Sequence, residues 1–239
     1  MDDLSLAELA SYLHITPSEV QKLATRGKLP GRKVAGQWRF NEAEIHHWLE
    51  ERIGLSDSGE LDKVRAVLHR RSNAPPQQLA QLCQVATIAN PLAARTRRSV
   101  IRKMCELAAE SGLMWDAATM SEAVAAREKL HPTALDCGVA LLHPRRPQTS
   151  ILSDSVLALG ICTAPMPFSD DGQLTDLFFL ICSYDDSSHL RILAKLSRLI
   201  AVESFLDDLR ATATPEDAWQ RLREAEDALD EEHSYGAGA

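Results

Sequence analysis

Residues 4–49 read LSLAELASYLHITPSEVQKLATRGKLPGRKVAGQWRFNEAEIHHWL. The spacing of a capping box occurs twice in this stretch, at Ser5–Glu8 and at Thr16–Glu19. In a capping box the hydroxyl and the carboxylate each bind a backbone N–H group at the start of a helix. The stretch therefore predicts two short helices joined by a tight turn. The first is expected to end near Leu13 and the second near Gly27, where glycine suits the left-handed C-cap.

The residues after the second helix predict a β-hairpin and a third helix. Residues 32–40 contain two short β-prone runs on either side of Gly36, which is typical of a hairpin wing. Asn41 and Glu44 have the spacing of a helix N-cap. The apolar residues expected to form one miniature core are Leu6, Leu9, Leu13, Ile45, Trp48 and Leu49. Together these elements predict a small α+β winged helix-turn-helix domain over residues 1–54.

The charge distribution favours a DNA partner for this domain. The whole chain has a formal net charge of −8, which usually argues against nucleic acid. Between Val20 and Asn41, however, lie six basic residues and no acidic residue. In a helix-turn-helix unit the second helix enters the major groove, and its N-terminal side chains face the bases. Ser18, Gln21 and Lys22 are therefore the base-facing candidates, while basic wing residues are expected on phosphates or in the minor groove.

The stretch closely resembles the excisionase-type, MerR-like winged helix-turn-helix DNA-binding domain over nearly its whole length. This resemblance implies that the recognition helix and the wing contact DNA. The residues onto which those contacts fall are Ser18, Gln21, Lys22, Arg32, Lys33, Gln37 and Arg39. For Trp38 and Phe40 the pattern leaves open whether they contact DNA or only pack the wing.

Residues 55–73 are expected to connect two domains. The segment Gly54–Glu60 is small and polar, which suits a linker. The segment Leu61–Arg71 has the apolar spacing of an amphipathic helix. Such a helix could join the protomers of a homodimer or pack on the following domain, and the sequence leaves both alternatives open.

Residues 74–225 alternate between helical patterns and β-rich runs, which is typical of an α/β sandwich. The run Leu177–Cys182 is continuously apolar, as expected for a strand buried on both faces. His189 opens a predicted helix after this run, and His143 lies just after another predicted strand. Both histidines could therefore approach one edge of the sheet, while Arg127 lies near the end of the helix before the first strand.

Two segments carry a second resemblance, AREKLHPTALDCGVALLHPRRP at 126–147 and TDLFFLICSYDDSSHLRILAKLSRLI at 175–200. They resemble the IIA domain of the bacterial sugar phosphotransferase system, of the fructose/mannitol type that includes nitrogen-regulatory IIA proteins. The resemblance implies a mixed sheet flanked by helices. It also implies that His143 is the phosphorylated histidine, His189 the second active-site histidine and Arg127 the arginine of an Arg-Glu pair. The implied phosphoryl donor is an HPr-like phosphocarrier protein.

These residue types suit phosphoryl transfer, because neutral imidazole is nucleophilic near neutral pH and guanidinium grips phosphate oxygens. The sequence departs from the family where the usual Pro-His-Gly is replaced by Leu142-His143-Pro144. Proline removes one backbone N–H from the site. Arg145 and Arg146 could compensate by binding the phosphate or an acidic donor, whereas Asp136 would repel phosphate if it faces inward.

Other chemistry is not indicated, because the sequence contains no Walker loop, G-x-G-x-x-G, serine elbow or H-E-x-x-H motif. Five cysteines without a C-x-x-C pair argue against a disulfide framework and a zinc site, and they are expected to be buried. Neither a cofactor nor a metal is therefore expected. The absence of a long apolar run and of a basic N-terminal start favours a cytoplasmic protein without a membrane contact. Residues 226–239 are expected to form a disordered tail.

Two functions follow from these patterns. The first is a bacterial DNA-binding regulator whose IIA-like domain accepts a phosphoryl group on His143. The alternative is a phosphotransferase-system phosphocarrier, or a degenerate domain that senses phosphate or a phosphorylated metabolite, with the N-terminal module acting as a tether. Whether the chain is an enzyme, as a phosphohistidine phosphotransferase, stays open at this point.

Overall fold

The computed structural model describes residues 3–13, 16–41, 44, 45, 48, 78–130, 132–168, 172, 174–202 and 204–236. The chain divides into two compact units, Met1–Pro75 and Pro76–Ala239, here called the N-terminal unit and the C-terminal unit. The predicted connector, residues 55–73, and Leu49 of the predicted miniature core lie outside the described residues.

The N-terminal unit contains the two predicted helices, α1 (Leu6–Leu13) and α2 (Pro17–Thr25). Both capping boxes form. The Glu8 carboxylate accepts the Ser5 N–H at 2.8 Å, and the Glu19 carboxylate accepts the Thr16 N–H at 2.9 Å. The local hydrogen bonds that the sequence predicts therefore set where each helix begins.

A three-stranded antiparallel sheet completes the N-terminal unit, in the order β1-β3-β2. The predicted wing consists of β2 (Arg32–Val34) and β3 (Gln37–Asn41), joined by Ala35 and Gly36 with φ angles of 51° and 80°. Two consecutive positive φ angles match the twist of a tight hairpin. Strand β1 (Asp3–Ser5) pairs with β3 and was not predicted, because three residues are too few to show an alternating pattern.

A third helical segment closes the core of this unit. The backbone is helical at Glu44, Ile45 and Trp48, and the Glu44 N–H donates to the Asn41 side chain at 3.3 Å. The Trp48 indole N–H donates to the Lys28 carbonyl at 2.7 Å. The buried apolar residues are Leu9, Ala10, Val20, Ala24, Leu29, Phe40 and Ile45. The predicted winged helix-turn-helix fold is confirmed.

The C-terminal unit is built on a four-stranded mixed sheet in the order β4-β6-β7-β5. Its strands are β4 (Ile88–Ala89), β5 (Val139–Leu142), β6 (Val156–Pro167) and β7 (Leu174–Cys182). Strands β6 and β7 are antiparallel, whereas β5 is parallel to β7 and β4 is parallel to β6. This arrangement confirms the predicted α/β sandwich with a mixed sheet.

Helices flank this sheet, so that both faces are covered. They are α3 (Leu79–Leu82), α4 (Arg97–Ala109), α5 (Ala117–Leu130), α6 (Asp186–Ile200), α7 (Phe205–Arg210) and α8 (Pro215–Gly236). Phe178 and Leu180 join the core formed with α4 and α5. Leu177 and Phe179 alternate with them and are buried as well. The continuously apolar run therefore forms a strand buried on both faces, as predicted.

Three predicted details are corrected by the structure. Helix α6 begins at Asp186 rather than at His189, because the Asp185 carboxylate caps it by accepting the Ser188 N–H at 2.8 Å. Helix α8 continues to Gly236, so the disordered tail expected from residue 226 is wrong for residues 226–236. Cys137 is exposed, whereas the other four cysteines are buried.

Within the described ranges, no helix combines the length and the apolar character needed to cross a membrane.

Candidate functional site

Two histidines meet at one edge of the mixed sheet. Strands β5 and β7 are parallel neighbours with Leu142 opposite Leu180, so both strands end at the same edge. His143 is the first residue after β5, and His189 lies in the first turn of α6, which follows β7. The ring centroids are 4.9 Å apart with an angle of 51° between the ring planes. The structure thus brings together the two histidines that the sequence singled out.

The orientation and the tautomer of His143 are set by its own strand. Its Nδ1 atom lies 2.8 Å from the carbonyl oxygen of Leu141. Because a carbonyl oxygen only accepts hydrogen bonds, Nδ1 carries the proton in this contact. In the neutral ring Nε2 then holds the lone pair and is the nucleophilic atom.

His189 is held by the helix start and by a neighbouring hydroxyl. Its backbone N–H donates to the Asp185 carbonyl at 3.0 Å, as part of the first turn of α6. The Oγ atom of Ser183 lies 3.1 Å from Nδ1 of the imidazole. Sequence reasoning missed Ser183, because a serine six positions before a histidine matches no recognised motif.

Arg127 is buried near the end of α5, next to the buried Glu128. The Glu128 carboxylate accepts the Thr133 N–H at 3.0 Å and the Thr133 hydroxyl at 2.7 Å. The Thr133 carbonyl in turn accepts the Leu141 N–H at 3.2 Å. A run of hydrogen bonds therefore joins the end of α5 to the strand that presents His143. The predicted role of the Arg127 guanidinium, to bind phosphate oxygens at the two imidazole rings, stays a prediction.

The Glu128 carboxyl is not an ordinary surface acid. Burial raises its pKa, although the hydrogen bonds from Thr133 and the positive charges of Arg97 and Arg127 act in the opposite direction. Because the sequence shows Glu128 only as the partner in an Arg-Glu dipeptide, its bonds to Thr133 could not be predicted. Glu128 fixes the local backbone rather than facing solvent.

The surroundings of the rings limit access to them. The exposed fractions of His143 and His189 are 3% and 7%, and Pro144, the residue after His143, is also buried. The Nε2 atom of each ring is shielded from solvent. Both Nε2 atoms are therefore covered in this arrangement of the site.

Three charged residues near this site in the sequence are exposed. Arg145 and Arg146 follow Pro144, and Asp136 precedes strand β5. Because Asp136 is exposed, its carboxylate is not buried in the site. Among the residues with described positions, no group of three or more histidine, cysteine or acidic side chains is arranged to hold a metal ion.

The N-terminal unit presents a second candidate site, on α2. Val20 and Ala24 are buried against the unit's core, whereas the predicted base-facing residues Ser18, Gln21 and Lys22 are exposed. The helix thus separates a packing face from a polar face, as a recognition helix requires.

The wing carries the remaining candidates. Lys33 and Gln37 are exposed, and the Lys33 ammonium lies 5.3 Å from the Trp38 ring centroid. Trp38 stacks on Phe40, with ring centroids 6.0 Å apart, so both aromatic residues pack the wing.

Arg32 and the half-buried Arg39 are cross-strand neighbours in the sheet of this unit. Arg32 forms an ion pair with Asp3 at 2.7 Å. The hydrogen bond from Arg32 lowers the pKa of Asp3. Sequence reasoning missed Asp3, because its pairing depends on the unpredicted strand β1.

The folds and the paired histidines define a helix-turn-helix domain followed by a IIA-type α/β sandwich. Residues 4–53 match the family model described as a helix-turn-helix domain. The chain belongs to the family described as phosphoenolpyruvate-dependent sugar phosphotransferase system, EIIA 2, whose model matches residues 81–225. Both domain families that the sequence resembles are therefore confirmed by the family models.

Similar proteins include nitrogen regulatory proteins from two bacteria. The protein of Pseudomonas aeruginosa is 29% identical over 128 residues, which are 52% of this chain and 81% of that protein. The protein of Bradyrhizobium diazoefficiens is 34% identical over 94 residues, which are 38% of this chain and 60% of that protein. These similarities therefore concern only part of the chain.

Solved structures share the fold of the C-terminal unit. Nitrogen regulatory protein IIA-Ntr from Neisseria meningitidis superposes with a TM-score of 0.54 at 22% identity, covering 60% of this chain and 97% of that chain. IIA mannitol from Escherichia coli gives a TM-score of 0.52 at 19% identity, covering 58% and 97%. The shared fold is that of a complete IIA domain.

Proposed function

We propose that this protein is a bacterial DNA-binding regulator that accepts a phosphoryl group on Nε2 of His143 from an HPr-like phosphocarrier. The observation that carries this proposal is the pair of imidazoles 4.9 Å apart, one of which has its Nδ1 bound to a carbonyl. Family membership supports the phosphoryl chemistry, and the helix-turn-helix domain supports DNA as the target of regulation. Both proposed partners support a cytoplasmic location.

The transfer step follows from the geometry at His143. The P–N bond of the donor's phosphohistidine breaks, a bond from phosphorus to Nε2 forms, and the donor imidazole leaves with the electron pair. The Nδ1 proton of His143 stays on the ring, where the Leu141 carbonyl stabilises the positive charge that develops. His189 and Arg127 are proposed to bind the phosphoryl oxygens. No cofactor takes part in this step.

Labelling by phosphoenolpyruvate tests the carrier role. The full chain, incubated with the general phosphotransferase enzymes and radiolabelled phosphoenolpyruvate, is expected to become labelled on histidine. His143→Ala abolishes the label, whereas His233→Ala, which removes another histidine of the chain, leaves it unchanged. Absence of label on the wild-type protein sinks the carrier role.

Measurements of DNA binding test the proposed role as a regulator. Arg32→Ala combined with Lys33→Ala is expected to weaken binding and to reduce the salt dependence by about two ion equivalents. The exposed pair Arg145→Ala and Arg146→Ala removes the same charge from the C-terminal unit and serves as the matched control. If the wild-type protein forms no salt-dependent, sequence-preferring complex, the regulator role fails and the N-terminal module is a tether. A homodimer would bind two DNA half-sites, one for each protomer. The mass of the DNA complex, measured by sedimentation, therefore also tests dimerisation.

One observation favours a second function, a sensor of phosphate or a phosphorylated metabolite. His143, His189 and Pro144 are all buried, which suits a small anion better than a protein donor. A protein that is never labelled but whose melting temperature rises with inorganic phosphate would support this alternative. If inorganic phosphate leaves the melting temperature unchanged, the sensor alternative fails for that ligand.

A further inference from the structure

The structure places a buried hydroxyl behind the second histidine. Ser183 is the first residue after β7 and is 2% exposed. Its Oγ lies 3.1 Å from Nδ1 of His189, across the turn that leads into α6. A buried polar group that touches one ring nitrogen determines what the other ring nitrogen offers.

The two histidines differ in how their tautomers are set. The contact of His143 is with a carbonyl, which fixes Nδ1 as the protonated atom. The contact of His189 is with a hydroxyl, which donates or accepts by rotation of its hydrogen. Whether Ser183 or His189 donates the hydrogen bond between them therefore depends on what the site must bind.

A phosphoryl group on His143 needs donors around its oxygens. If Nδ1 of His189 donated to Ser183, the neutral ring would present a lone pair at Nε2 beside a charged phosphoryl group on His143, whose ring centroid lies 4.9 Å away. If Ser183 donates instead, Nε2 carries the proton and binds a phosphoryl oxygen. Only the second arrangement gives the two rings complementary atoms, an acceptor of phosphorus on His143 and a hydrogen-bond donor on His189.

We propose that Ser183 is a positioning residue, whose hydroxyl donates to Nδ1 of His189 and holds that ring as the Nε2–H tautomer. The inference rests on the proposed function for its effect on phosphoryl transfer. The tautomer itself is a property of the unphosphorylated protein and can be measured without a donor.

Histidine ring ¹⁵N NMR spectra of the full chain test the proposal. The wild-type protein is expected to show His189 protonated at Nε2 and not at Nδ1. In Ser183→Ala the Nδ1–H tautomer becomes populated, whereas Ser183→Thr, which keeps the hydroxyl, restores the wild-type spectrum. Ser155→Ala is the matched control, because this equally buried serine binds the Tyr184 N–H at 3.0 Å and touches neither ring in that contact.

Phosphorylation kinetics give the second readout. Ser183→Ala is expected to be labelled about tenfold more slowly than wild type, the factor that the net contribution of one hydrogen bond gives. Ser183→Thr and Ser155→Ala stay within about twofold of wild type on the same scale. A wild-type His189 found as the Nδ1–H tautomer or as imidazolium, or an unchanged spectrum in Ser183→Ala, overturns the proposal. If wild type is not labelled at all, the proposed function fails, and the role of Ser183 is decided by the spectra alone.

Discussion

Glu226 gives the sharpest test of how the C-terminal unit is held together. It is 1% exposed, and its carboxylate accepts the N–H groups of Leu79 at 2.6 Å and Ala80 at 2.9 Å. It also forms an ion pair with Lys195, whose ammonium contacts Asp230 at 3.0 Å. One carboxylate therefore links α8 to the first turn of α3 and to the middle of α6.

Replacing this carboxylate by an amide is expected to cost several kcal/mol. A hydrogen bond to a charged group contributes roughly 1.5–3 kcal/mol, and removing one partner of a buried ion pair costs about 3–5 kcal/mol. In Glu226→Gln the amide oxygen keeps one acceptor site and Lys195 keeps Asp230, so part of each interaction survives. We expect a loss of about 3 kcal/mol in the free energy of unfolding, equivalent to a fall of about 6–12 °C in melting temperature.

Urea and thermal denaturation, followed by tryptophan fluorescence, measure this loss. Trp219 is a suitable reporter, because its indole N–H donates to the Ala80 carbonyl at 3.0 Å, next to the site of the change. The control is Glu224→Gln, on the same helix, where the exposed carboxylate contacts Arg221 at 2.9 Å. An effect of Glu226→Gln no larger than that of Glu224→Gln would refute the inference that Glu226 links the three helices.

Two further predictions concern other contacts. Asp3→Asn removes the carboxylate that competes with DNA phosphate for Arg32, so DNA binding measured by fluorescence anisotropy should tighten; an unchanged affinity contradicts this. Gly138→Ala should lower the urea midpoint more than Gly172→Ala. Both glycines have positive φ, but only at Gly138 would a Cβ atom lie 2.8 Å from Arg210, and equal losses would show that this close approach is unimportant.

The placement of the two histidines could be predicted because it depends on local patterns. The apolar run Leu177–Cys182 identifies a buried strand, and polar side chains after parallel strands meet at one edge of the sheet. The mixed sheet came from the resemblance to the IIA family, and the order of its strands was not predicted, since strand order has no local signal. The starts of the two helices in the N-terminal unit were predictable for a similar reason, because capping boxes act over three residues.

Contacts between distant parts of the chain were not predictable. The Leu79 N–H and the Glu226 carboxylate are 147 positions apart, and no sequence pattern connects them. Without that contact, the acidic composition near Glu226 is typical of a solvated tail, which explains the wrong prediction for residues 226–236. Strand β1 and the pairing of Asp3 were missed because a three-residue strand is defined by its neighbour β3 rather than by its own composition.

The long-range contact made by Glu226 also has a mechanical consequence. The chain from the N-terminal unit enters the C-terminal unit just before α3, and the N–H groups at the start of α3 are bound by a side chain of the last helix. A pulling force applied along that incoming segment is therefore transmitted to α8 and, through Lys195, to the helix that carries His189. A chain shortened to end at residue 225 would keep the residues that match the family model. It would lose the Glu226 carboxylate, through which this force is transmitted.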